Sequence, residues 1–467
     1  MTEETSKSKE LKEQLFMKHP NGAATLSKEE LQKAYDFCEG YKAFLGESKI
    51  EREAVIYMVN KAKSLGYQEF DRNKKYLPGE KVYYNNRGKS IVLAVIGTEP
   101  LSKGVRLSAA HIDSPRLDLK PSPLYEDHEL ALFKTHYYGG IKKYQWTTIP
   151  LAIHGALVKK NGETILVHIG EDENDPQFLV NDLLPHLGQE QMKRTLADGI
   201  RGEELNLLVG SQPFSDEEEA EQVKLNILHI LFEKYGITEA DFLSAELEIV
   251  PAAKPKDIGF DRSMIGGYGH DDKVCAYPAA EAIFATEHPK FTCVTCLTDK
   301  EEIGSEGNTG LNSAYLRYFI ADLAKANGEN YHTVLSNSKC LSADVNAAFD
   351  PTFPEVMEQK NAAYLNKGVT ITKYTGARGK SGTSDASAEF MAEIRALLDD
   401  NDVVWQSAEL GAVDAGGGGT VAMYLAAQNI DVVDLGVPVL SMHAPCEVVA
   451  KVDVYMAYKA FKAFFEN

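Results

Sequence analysis

The chain has 467 residues, 69 acidic and 49 basic side chains and a formal net charge of −20. That length exceeds one ordinary core, so two domains are expected. The acidic balance argues against nucleic acid and anionic membranes as partners and leaves divalent cations as natural ones. No run of 18 apolar residues occurs, so no transmembrane helix is expected, and the polar start MTEETSKSKELKEQ lacks an apolar signal core; the expected location is cytoplasmic.

In chain order, the first 20 or so residues read as a mobile arm. Two helices follow, opened by the capping boxes Ser27-x-x-Glu30 and Ser48-x-x-Glu51. In the second, Ala54, Val55, Met58, Ala62 and Leu65 recur at helical spacing before a stop at Gly66. Strand-like runs at 81–84 and 90–96 flank the turn Asn85-Asn86-Arg87-Gly88, and a strand at 105–110 ends at His111-Ile112-Asp113. From about Lys120 the texture changes: Pro121 and Pro123 break the chain, and aromatic, β-rich runs follow at 133–138, 146–158 and 164–169. No long amphipathic helix is expected before about Gln189, and the acidic run at 215–221 reads as a solvated loop or helix start.

From about Glu246 strands and helices alternate. Helices are expected at 272–286, 313–325, 384–398, 420–428 and 448–465, and strands at 291–297, 341–345, 369–374, 403–405 and 431–435. Alternation of this kind implies a mostly parallel sheet covered on both faces. Residues 1–118 and 250–467 then form one α/β domain, interrupted by a β-rich insertion at 119–249. Six cysteines in so long a chain need no disulfides. Cys293 and Cys296 form a CxxC, but residues three apart on a strand face opposite sides, so buried core thiols are expected.

Leu297-Thr-Asp-Lys-Glu-Glu-Ile-Gly-Ser305 places Glu301 and Glu302 just past a strand, where open α/β sheets bind ligands. Two adjacent carboxylates in one low-dielectric site are easier to understand if a cation holds one and the other stays free as a base. Four further spots put metal-binding residue types at strand ends or helix starts: His111 and Asp113, Asp271 and Asp272, Asp344, and His443. Each alone also fits a plain structural role, Asp272 as an N-cap above all. Together they suit a pair of divalent ions of the zinc, cobalt or manganese type, bridged by a carboxylate, which lowers the pKa of bound water and polarises an acyl oxygen. The residues alone lead to a two-metal hydrolase of an acyl bond.

HIDSP, HDDKVC, DKEEIGS, SADVN and SMHAP, in this order and spacing, resemble the aspartyl aminopeptidase and aminopeptidase I family of dinuclear metallopeptidases, over nearly the whole chain. The resemblance implies a three-layer α/β/α sandwich with an inserted β-rich dimerisation domain, and homo-oligomers in which dimers assemble to a closed dodecamer. It implies peptide substrates and two divalent ions per subunit, zinc first, with cobalt or manganese as alternatives. His111, Asp271 and Asp344 would hold one ion; Asp271, Glu302 and His443 the other, with Asp271 bridging. Glu301 would be the general base, and Asp113 would hold the other nitrogen of His111. His186 matches a histidine lent to a neighbouring subunit's active site, and Lys373, Asp414 and the glycine run at 416–419, with Gly418, would lie beside the substrate. The chain departs from the family's usual pattern at His270, where leucine is usual, and at Asp272, where asparagine is.

Two glycine-rich segments compete for attention. Gly376-Ala-Arg-Gly379-Lys380-Ser381 has two residues between its glycines where a phosphate loop needs four. The run at 416–419 could cradle phosphate through backbone amides or let a peptide pass close by. Lys373, Arg378 and Lys380 could pair with an acidic substrate side chain or form a solvated basic loop, which leaves acidic and neutral or hydrophobic preferences open. The rival readings are an amidohydrolase or deacylase using the same metal pair and a catalytically silent self-assembling protein.

Overall fold

The computed structural model describes residues 2–17, 20–215 and 220–467. Its centre is a nine-stranded sheet in the order Gln68–Glu69, Lys81–Asn86, Ser90–Val95, Cys293–Thr298, Arg106–His111, Lys339–Ser342, Asp431–Gly436, Val369–Thr372 and Trp405–Ser407. The four strands from Cys293–Thr298 to Asp431–Gly436 are parallel. Antiparallel pairings flank them, with Ser90–Val95 on one side and Val369–Thr372 on the other. The sheet is therefore mixed, with parallel pairings in the majority as expected.

Period-two alternation divides its side chains between two cores. Ile91, Leu93 and Val95 join one core, packed by helices Lys28–Glu47, His270–Phe284 and Lys451–Glu466. Val92 and Ala94 join the other, under helix Tyr315–Ala326. The same alternation separates the CxxC pair: Cys293 lies in the first core and Cys296 in the second, both as buried free thiols.

A separate antiparallel sheet of seven strands runs in the order Thr164–Ile169, Leu151–Val158, Ala245–Pro251, Arg116–Asp127, Leu130–Tyr138, Leu207–Gly210 and Leu179–Val180, with helix Gln222–Tyr235 and a core built round Trp146. The break expected at Pro121 and Pro123 is instead inside strand Arg116–Asp127. Its pairing with Leu130–Tyr138 shifts register between Leu119 and Leu124, so the prolines occupy an irregularity where no ladder N–H is needed. Near Gln189 only the four-residue helix Gln189–Met192 forms; the long helix is Gln222–Tyr235. Of the acidic run at 215–221, residues 216–219 lie outside the described residues.

Three other expectations change. The arm is helical over Thr2–Leu15. Ser27 caps its helix by accepting the amide of Glu30 at 3.1 Å, but Ser48 ends that helix rather than opening the next. Helix Glu51–Ser64 is opened instead by Glu53, whose Oε2 accepts the amides of Lys49 and Ile50 at 3.0 and 3.3 Å. A third, five-stranded sheet of very short strands, from Lys256–Ile258 to Asn346–Ala347, went unread in the sequence. It includes Met264–Gly267 and Glu447–Ala450, which lead into helices His270–Phe284 and Lys451–Glu466. Among the described residues no helix is long and apolar enough to cross a membrane.

Candidate metal centre

The parallel strands deliver the site. His111 is the last residue of Arg106–His111, Glu301 and Glu302 follow Cys293–Thr298, and Asp344 follows Lys339–Ser342. Asp271 stands in the first turn of helix His270–Phe284, and His443 in the loop before Glu447–Ala450. Strand Asp431–Gly436 passes so close to the Asp344 loop that a Cβ on Gly436 would lie 1.7 Å from the Asp344 carbonyl oxygen; only glycine fits there.

Asp271 is the hub. Its Oδ1 lies 3.1 Å from His111 Nε2 and its Oδ2 lies 3.2 Å from His443 Nε2. Around His111 Nε2 stand Glu301 Oε2 at 3.8 Å and Asp344 Oδ1 at 4.0 Å. Glu302 Oε2 is 3.6 Å from His443 Nε2. The far nitrogen of each ring is engaged: His111 Nδ1 donates to the Asp113 carbonyl at 3.0 Å, and His443 Nδ1 donates to the Gly140 carbonyl at 2.7 Å. Both rings thereby turn Nε2 toward carboxylate oxygens, where it carries a proton or faces a cation. The buried Glu302 Oε1 has no hydrogen-bond partner. Lone pairs converging from two imidazoles and four carboxylates repel unless positive charge lies among them.

Proton affinities lean the same way. Burial, with Asp113 and Asp271 nearby, pushes the Glu301 carboxyl up to about 7 against the pull of His111. Burial raises Glu302, with Asp271 adding to it, and Asp344, with Glu301 and Asp272 adding to it. Burial opposes a charged His443, yet the bond to Asp271 and the charge of Glu302 bring it up to about 10. The cluster draws in positive charge, and its nitrogen and oxygen donors fit a zinc-type ion pair.

Three supports escaped the sequence reading. Glu447 accepts the amide of Asp271 at 3.2 Å and that of His443 at 2.7 Å. Tyr138 donates to Asp113 Oδ2 at 2.8 Å. Ser114 donates to the Asp271 carbonyl at 2.8 Å and accepts from the buried Lys273 at 2.6 Å. The signals were thin: Glu447 directly follows SMHAPC, and Tyr138 closes a β-rich run. Asp113 does more than orient His111: its carboxylate also accepts the amides of Glu301 and Glu302, both at 3.2 Å. Both carboxylate oxygens of the buried Asp272 lack partners.

A cleft of about 480 Å³ opens on the cluster, lined by Asp271, Glu301, Glu302, Asp344, His443 and the glycines 416–419. Gly418 thus reaches the site, and its amide donates to the Thr375 carbonyl at 3.0 Å. With the Gly417 amide also bonded, to the Leu410 carbonyl at 2.7 Å, the run is no phosphate cradle. Asp414 and Arg378 line a neighbouring depression instead. Lys373 lies outside the cleft wall and pairs with Asp385, as does Lys380 at 2.9 Å. His186 is exposed on a turn, away from its own chain's cleft.

A family model described as aminopeptidase I zinc metalloprotease (M18) matches residues 44–465. The probable M18 family aminopeptidase 1 of Clostridium acetobutylicum is 49% identical over 461 residues, 97% of this chain and 99% of that protein. The crystal structure of an M18 family aminopeptidase from Thermotoga maritima superposes with a TM-score of 0.92 at 43% identity, over 96% of this chain and 99% of that one. The mApe1 dodecamer of Saccharomyces cerevisiae shares the fold, with a TM-score of 0.76 at 21% identity over 93% of this chain and 97% of that one. The chain belongs to the M18 family of aminopeptidase I zinc metalloproteases, and is a zinc metalloaminopeptidase.

Proposed function

We propose that this aminopeptidase cleaves N-terminal residues from peptides with Glu301 as general base. In this reading His111, Asp271 and Asp344 hold one divalent ion, zinc before cobalt or manganese, and Asp271, Glu302 and His443 hold the other. The observation that carries it is Asp271, whose two oxygens face two different imidazoles as a bridging carboxylate must. When bound, such a pair lowers the pKa of water and polarises an acyl oxygen. Glu301 faces the cleft beside this cluster, takes the proton of the attacking water and passes it to the leaving amine. Asp113 fixes the His111 tautomer and, through their amides, the positions of both glutamates.

The test separates the two carboxylate roles. Glu301→Gln should keep both ions by elemental analysis while turnover falls by ~10²–10⁴. Asp271→Ala should lose metal as well. Wild-type turnover in Glu301→Gln would overturn the assignment.

For the N-terminal side chain, the cleft wall supports a neutral or apolar preference. It includes Val345, Val356, Met357, Leu410 and Met442 and no lysine or arginine, while Lys373 and Lys380 already share Asp385. A leucyl anilide should exceed a glutamyl anilide in kcat/KM by 10-fold or more, about 1.4 kcal/mol; the reverse order would return the basic loop to the substrate.

The inserted sheet carries the surface for assembly. Leu183, Leu184 and Leu187, and Leu225, Ile230 and Phe232 of helix Gln222–Tyr235, are exposed there. Apolar surface of this kind marks an interface, and a homo-oligomer built from dimers, as in the distant dodecamer, would cover it. His186, within the first of these groups, would then act in a neighbour's cleft.

A further inference from the structure

A second cluster of metal-binding side chains lies where the seven-stranded sheet meets the helical layer. His154 of Leu151–Val158 is paired across the ladder with His168 of Thr164–Ile169, and their ring centroids are 4.2 Å apart. Direct cross-strand neighbours share one face, so the register itself brings the imidazoles together. Glu53 arrives from the main body, in the first turn of helix Glu51–Ser64, and accepts from His154 Nδ1 at 2.8 Å. One donor atom each from Glu53, His154 and His168 falls within 4.8 Å of the others. Glu171, just past the strand, meets His168 Nε2 at 2.9 Å through its Oε2, and that same oxygen is 3.9 Å from His154 Nε2.

The telling atom is His154 Nε2. With Nδ1 donating to Glu53, Nε2 is left as a bare acceptor, in a residue only 1% exposed, and it has no hydrogen-bond partner. A carboxylate on the far nitrogen and an open lone pair on the near one is how ligating histidines are oriented. Lys49 pairs with the other oxygen of Glu171, and its ammonium is also bonded to the carbonyls of Pro251 and Ala253. That pairing leaves one net negative charge over the two carboxylates, which suits a divalent ion. Ligands of a tetrahedral zinc stand about 3.3 Å apart, between the 2.9 and 3.9 Å found around Glu171 Oε2. His168 and Glu53 also line a cleft of about 570 Å³, which gives an ion a route in from solvent.

We propose that His154, His168 and Glu171, with Glu53 orienting His154, form a further zinc-type site, apart from the catalytic cluster, that clips the seven-stranded sheet to helix Glu51–Ser64. Its ligands come from two strands and the turn after them, and its orienting carboxylate from the other domain. The ion would therefore act on how firmly the two bodies are joined, not on the chemistry.

The experiment compares metal content and melting temperature of the wild type and His168→Gln after stripping and reloading with zinc alone. His168 is about half exposed, with 54% of its side chain accessible, so its variant should fold and keep peptidase activity. The wild type should hold one more zinc per chain than His168→Gln, whatever the catalytic cluster holds, and should gain more in melting temperature on zinc addition. Glu171→Gln should lose the same ion, and Glu53→Gln should bind it ~10–100-fold more weakly. Equal zinc content in wild type and His168→Gln would overturn the proposal. So would an ion lost with His168 but held at wild-type affinity by both glutamate variants, which marks a lone surface imidazole.

Discussion

Glu447 sits under the candidate metal cluster and holds two of its segments at once, through the amides of Asp271 and His443. Burial with Asp271 nearby pushes its carboxyl up to about 8, against the pull of those amides. Glu447→Ala should release both segments and weaken zinc binding by ~10–100-fold with little loss of fold, measured by competition with a chromogenic chelator. At this scale much was legible. His111, Asp271, Glu301, Glu302, Asp344 and His443 are chemically conspicuous residue types at places where the α/β pattern predicts crevice loops, and the structure brings them together. Glu447 was not legible, because nothing local distinguishes a glutamate that starts a short buried inner strand from one on a wet surface. Lys373 was hard to read for the converse reason: its partner in space, Asp385, lies twelve positions on, and the pairing of that charge leaves no local mark in the sequence.

At the scale of elements, strand Arg116–Asp127 shows how a local rule fails in context. Prolines argue against a strand, and they do so correctly for a regular ladder. Here the register shift between Leu119 and Leu124 removes the requirement they would violate. Ser48 failed similarly, since the box pattern fits its sequence but the Glu53 carboxylate reaches the free amides first. The long central strands and helices were readable because each buries a face, and burial imposes a period. Strands of two to four residues, as in the third sheet, carry too few turns of any period to register.

The joint between the two large sheets is held partly by Glu246, which pairs with both Arg52 and Lys89. Burial alone would raise its carboxyl, but the bonds from Arg52 and Lys89 bring it down to about 2. A carboxyl lowered in the folded state adds stability above its unfolded value, about 4.3, and loses it as pH falls through the folded value. Glu246 is half exposed, so the effect is screened. Glu246→Gln should therefore melt modestly lower than wild type from pH 8 to pH 5. That gap should close as pH falls from about 4 toward 2, read from paired thermal scans.

For the whole molecule, the proposed assembly makes a separate prediction. Ile230→Asp with Phe232→Asp, on an exposed stretch of helix Gln222–Tyr235, should break the oligomer into smaller species by mass photometry while leaving the fold intact. If His186 serves a neighbour's cleft, activity should fall with the assembly. An unchanged particle mass would place the interface elsewhere.

The proposed catalytic set is drawn from five separate stretches of chain, beginning at His111 and ending at His443. Each stretch hangs from a different element: three from strands of the nine-stranded sheet, one from helix His270–Phe284 and one from the five-stranded sheet. During synthesis, the last member emerges only after all the others, and Glu447, which steadies it, later still. A partly made chain cannot assemble the centre whatever metal is at hand.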